Sequence, residues 1–291
     1  MQTRTLSNDI HLHWSPYFPG WWTQIYISPS KHHGITINGI LLSPHSLIPM
    51  TSLGARFLGV CNPQTGRPIA EVVEHLISAC YAAGTTSLSI QTPDTVPVVW
   101  GGIEGIYKSL LSNSIPSDPL WEAQILSKKN IFYSADGACE LHVEAWNTLD
   151  IEIERKNDPE IQANAILSIK DTYAYLETNV NARKARPIAR LKNPIIHGIQ
   201  QWIQLFWWKG ITKDTYIFNT RTTSTQELKD QMYDEFQEAW NEHLVHTLVA
   251  DFFGELHTFF PNGIIWKISL KWKNNHFTRM ELLHALYKTL S

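Results

Sequence analysis

Trp266, Ile268, Leu270 and Trp272 alternate with Lys267, Ser269, Lys271 and Lys273, the two-residue period of a strand with one buried and one wet face. The same period runs through 140–146, where Glu140, His142 and Glu144 share a side. It recurs in 149–155, where Asp150, Glu152, Glu154 and Lys156 lie opposite Ile151 and Ile153. With Asn147-Thr148 between them, these two runs predict a hairpin. Further strands are expected at 23–28, 34–42, 55–61, 87–91, 96–100, 130–134 and 215–219.

Helical spacing appears elsewhere. Ile69, Val72, Val73, Leu76, Ile77, Cys80 and Tyr81 lie on one helix face, with Pro68 as the start and Gly84 as the stop. Shorter signals predict helices over 103–111, 160–178 (opened by Pro159), 195–208 and 277–290. Leu228, Met232, Phe236, Trp240, Leu244, Leu248, Phe252 and Leu256 recur every fourth residue. Such a stripe drifts about 40° per step round a helix. The helix is therefore wrapped by core along its length or interrupted, most easily at Gly254.

Strands and helices mix without a βαβ rhythm, so the expected fold class is α+β. Eleven of the fifteen prolines precede residue 121, which predicts a short-stranded, turn-rich first part. The middle reads αβββαβ. A long acidic helix and a β-α unit follow. A boundary near residue 120 would divide the chain into 1–120 and 121–291, with one continuous domain as the alternative.

Composition narrows the class. Apolar residues make up 43% and charged residues 18% of the chain, which is globular and not disordered. Twelve Trp supply large anchors for cores and interfaces. The three cysteines are widely spaced and fit no zinc pattern, favouring a reducing compartment and an intracellular, cytoplasmic location. No apolar run is long enough to predict a membrane span.

The net charge of −3 hides a sorted distribution. From 178 to 213 stand Arg183, Lys184, Arg186, Arg190, Lys192, Lys209 and Lys213 without one acid; 224–259 carries eight acids and only Lys229. Sorting of this kind marks a polyanion-binding surface or two segments that neutralise each other. Trp202, Phe206, Trp207 and Trp208 follow the first cations. Cations that neutralise phosphate beside rings that stack on bases are the equipment of a single-stranded nucleic-acid site. Arg183, Lys184, Arg186, Arg190, Lys192 and Lys209 are its candidate contacts, and Pro187 and Pro194 place 183–192 in a loop or frayed helix end. Lys267, Lys271 and Lys273 would extend the patch.

The second candidate is the acidic hairpin. Facing strands would bring Glu140, Glu152 and Glu154 within reach of Mg²⁺ or Mn²⁺, with Glu154 and Lys156 as catalytic residues. The αβββαβ order together with Glu154-Arg155-Lys156 resembles the core of the PD-(D/E)xK nuclease superfamily over 103–219. That resemblance implies an acid at Asp136 or Glu140, the Glu-x-Lys at 154–156, and Gln162 on the following helix. The chain departs from the family in lacking a proline before Asp136 and in placing Arg155 at a position that is usually apolar.

Other motifs carry less. His11-x-His13, His32-His33 and Glu242-His243-x-x-His246 lack the partners a metal site needs, and no nucleophile or phosphate-loop motif is present. Three functions are thus expected in order. The first is a non-enzymatic binding or assembly protein that contacts nucleic acid through 183–213. The second is a Mg²⁺- or Mn²⁺-dependent nuclease built on 136–156. The third is a self-assembling structural or viral accessory protein whose partner is its own kind.

Overall fold

The computed structural model of the chain describes residues 3–14, 23–52, 55–93, 102–117, 124–125, 129–137, 139–146, 149–155, 166–168, 185–188, 216–219, 240–262, 264–272 and 276–290. Up to residue 117 these form β1 (Arg4–Leu6), β2 (Ile10–Trp14), β3 (Thr23–Pro29), β4 (Gly34–Ile37), β5 (Ile40–Leu41), β6 (Leu47–Ser52), β7 (Ala55–Cys61), β8 (Pro68–Glu71), α1 (Glu74–Ala82), β9 (Ser87–Gln91), α2 (Gly102–Ser112) and β10 (Ser114–Pro116). One sheet has the order β2-β3-β9-β4-β5, a second β6-β7-β8, and β1 pairs with β10.

Local chemistry explains the turns. Asn38 and Gly39 both hold positive φ, 49° and 82°, the conformation a two-residue hairpin needs between β4 and β5. The Asn38 side chain then donates to the carbonyls of Ile69 and Thr92, tying the turn to two neighbouring segments. Pro68 opens a strand and not the expected helix. Residues 68–71 pair with β7, and the chain reverses at Val72, which holds φ 60°. Helix α1 begins only at Glu74, whose buried carboxylate accepts from the Leu58 amide at 3.1 Å. The apolar spacing at 69–73 suited both periods, and the ladder with β7 decided between them.

The later residues form β11 (Gln124–Ile125), β12 (Asn130–Tyr133), β13 (Glu140–Ala145), β14 (Asp150–Arg155), β15 (Ile166–Ser168), β16 (Ala185–Ile188), β17 (Tyr216–Asn219), α3 (Trp240–Phe259), β18 (Ile264–Trp272) and α4 (His276–Leu290). The large sheet has the order β12-β13-β18-β14-β15, with β11 also on β18. The expected 140–155 hairpin is therefore corrected. β18 lies between its two arms, antiparallel to β13 and parallel to β14. β18 is the longest of the three and apolar at every second position, so it covers both arms along their length. Two further expectations change. Ile166–Ser168, inside the expected helix 160–178, is a strand antiparallel to β14. Ala185–Ile188, expected in a loop or helix end, is a strand parallel to β17. The expected strand 96–100 and helix 195–208 lie outside the described residues.

The fold is α+β. The strands before residue 117 and those after 124 form separate sheets, and one cluster of buried side chains runs through both sets. Helix α3 joins them. Residues 249–260 are all buried, so the end of the stripe at Phe252 and Leu256 lies where the helix is wrapped by core, and the helix runs unbroken through Gly254. There α1 comes closest: Ser78 Oγ donates to the Ala250 carbonyl at 2.6 Å.

Candidate functional site

The large sheet separates its side chains by period. Leu141, Val143, Ile151, Trp266, Ile268 and Leu270 are fully buried on one face. At the alternate positions charge is matched across the strands. Lys271 of β18 stands in register with Glu140 of β13 and Glu154 of β14, and Lys267 stands between Glu144 and Asp150. Ser269 stands between His142 and Glu152. A central strand of cations is thus flanked by two strands of acids. Opposite charges directly across a ladder contribute about 0.2–1 kcal/mol per pair.

The remaining contacts on this face continue the pattern. Lys129 Nζ is 3.7 Å from Glu144 Oε2, and His142 Nε2 is 3.3 Å from Glu140 Oε2. Lys267 Nζ sits 5.5 Å from the ring centre of half-exposed Trp146, a cation–π distance. The two described lysines of β18 thus stand in register with acids on both sides, while Lys273 lies outside the described residues.

The proposed metal ligands are not brought onto neighbouring strands. Glu140 lies on β13 and Glu152 and Glu154 on β14, with β18 between. Backbones two strands apart are about 9–10 Å apart, and a lysine or serine occupies the register position between each pair. Among the described residues no group of three or more His, Cys, Asp or Glu is placed to hold a metal ion. Asp136 sits in the exposed turn after β12, where its carboxylate accepts from Ser134 Oγ at 2.6 Å. Arg186 falls on β16, in register with Ile217. Lys156, Gln162, Arg183, Lys184, Arg190, Lys192, Lys209 and the aromatics at 202–208 lie outside the described residues.

A buried polar seam between α1, α3 and α4 escaped the sequence reading. His75 Nδ1 lies 2.5 Å from Asp251 Oδ1, joining α1 to α3. Arg279 of α4 donates to Glu255 of α3, and both side chains are fully buried. His257 packs on Tyr81 and Phe253 with ring centres 5.3 and 4.1 Å away, and its Nδ1–H donates to the Phe253 carbonyl. Burial pushes the His257 pKa down to about 4, raises that of Tyr81, and pushes the Cys80 thiol up to about 12. The available signal was Asp251 and Glu255 one turn apart among Phe252, Phe253 and Leu256. Carboxylates inside an apolar run need partners from another element.

Among the described residues no helix is long and apolar enough to cross a membrane. No protein-family model matches the chain, and no curated protein matches it significantly in sequence.

Proposed function

We propose that this is a binding or assembly protein that contacts single-stranded nucleic acid through 183–213. The observation that carries this reading is the charge sorting. Seven cations without an acid precede and surround Trp202, Phe206, Trp207 and Trp208. The geometry bears on the main rival explanation, that the acidic segment 224–259 neutralises these cations. Two of that segment's acids, Asp251 and Glu255, are buried against His75 and Arg279 and so face the core. Fewer acids are left to cancel the basic segment, and the arrangement favours an external polyanion.

The nuclease reading receives less support, because the acids of β13 and β14 alternate with lysines of β18 instead of converging. Labelled single-stranded DNA and RNA, titrated by fluorescence anisotropy at two salt concentrations, tests the proposal. Binding should fall steeply with salt, as expected when several phosphates are neutralised. Arg183→Ala with Lys184→Ala should weaken it and flatten that dependence. Unchanged affinity in the double variant would remove the segment from the reading. Mn²⁺-dependent cleavage lost on Glu154→Ala would replace binding by nuclease chemistry.

A further inference from the structure

β12 ends the described order of the large sheet on the side away from β15, and its outer edge has a defined hydrogen-bonding register. The Ser134 amide donates to the Cys139 carbonyl at 3.0 Å, which fixes Ser134–Cys139 as a hydrogen-bonded pair of the β12–β13 ladder. Alternation then turns the amides and carbonyls of Asn130 and Phe132 toward β13, and those of Ile131 and Tyr133 outward. The outward pair also carries exposed apolar side chains, 43% and 62% accessible. Edge strands usually carry a proline, a bulge or an inward charge that blocks pairing. The register of β12 with β13 is regular, and residues 130–133 hold neither proline nor charge.

We infer that β12 pairs antiparallel with β12 of a second copy of this chain, about a two-fold axis at Phe132. In that register Ile131 of one copy exchanges backbone hydrogen bonds with Tyr133 of the other, and the same pair repeats across the axis. Each is an aromatic–β-branched cross-strand pair, among the favourable combinations. The ends are complementary in charge. Lys129 precedes the strand, while Asp136 follows it and Glu281 accepts from the Ala135 amide at 3.0 Å. Antiparallel self-pairing brings the cationic end of each strand to the anionic end of the other, whereas parallel pairing would bring like to like. This inference is independent of the nucleic-acid reading.

Sedimentation of the full chain over a range of concentrations tests it. The wild-type chain should reach twice the monomer mass. Ile131→Pro removes an amide that points away from β13, so the β12–β13 ladder is kept; it should raise the dimer dissociation constant at least about ten-fold, the equivalent of one or two lost edge hydrogen bonds. Tyr133→Lys should do the same through charge at the edge, and it covers the case in which the proline variant loses its circular-dichroism signature. A wild-type chain that stays monomeric throughout would overturn the inference. So would a dimer that neither variant weakens, since its interface would then lie elsewhere.

Discussion

The amide nitrogen of Ser78 lies 2.7 Å from the point where a side-chain carbon on Gly254 would stand, and its Cα lies 2.9 Å away. Two helices from sequence-distant parts of the chain touch there backbone to backbone, and glycine is what permits it. Gly254→Ala gains helix propensity of about 1 kcal/mol. Against that stands forced separation of α1 from α3, and overpacking of this kind costs about 1–3 kcal/mol. The expected outcome is net destabilisation, read as a lower urea midpoint with unchanged slope. A higher midpoint would show that the helices part freely.

Glu255 and Arg279 form a second link through the core. Removing one partner leaves a buried charge, so Arg279→Met should destabilise by about 3–5 kcal/mol. Arg279→Met combined with Glu255→Leu should recover most of that loss, because an apolar pair needs no counter-charge. Equal losses in the single and double variants, measured by chemical denaturation, would contradict this account.

His257 makes stability depend on pH. Its ordinary value of 6.5 applies in the unfolded chain, and burial lowers it to about 4 in the fold. Between those values the unfolded chain binds the extra proton, so acidification favours unfolding. The stability present above pH 6.5 should fall by about 3 kcal/mol as pH drops to 4. His257→Leu should take up about one proton fewer on unfolding across that window. An unaltered pH profile in the variant would mean that the ring is hydrated in the native state.

Lys267 tests the charged face. Lys267→Glu would place three acids side by side across β13, β18 and β14 and remove the cation from Trp146. A loss of about 1 kcal/mol is expected, larger at low salt. Lys267→Arg should be neutral. A charge reversal without effect would show the face to be fully screened.

Much of the secondary structure was legible because its signals are local. The alternation at 264–272, the strands at 55–61, 87–91 and 130–133, and the helix at 276–290 all appear close to where their periods place them. What failed was pairing. Asn147-Thr148 joins two alternating runs at hairpin distance, and nothing in those residues announces that a strand more than a hundred positions later lies between them. Residues 68–71 failed for a different reason, since a short apolar run fits either period until its neighbours are known. The expectation that Glu140 faces Glu152 and Glu154 rested on that hairpin, whereas Lys267, Ser269 and Lys271 of β18 stand in register between the two strands. Arg183, Lys184 and their neighbours were legible only as composition.

The place of β18 has a consequence for how the chain is made. β13 and β14 leave the ribosome long before residues 264–272 exist, and each then carries an edge without β18 and a row of acids without the lysines of that strand. Mutual repulsion between those rows discourages the two from closing prematurely on each other, the very hairpin their spacing invites. The late strand supplies both the missing ladder and the missing lysines in one step. A nascent chain halted before residue 264 should therefore be held open, and dependent on chaperones, in a way that one halted after 272 is not.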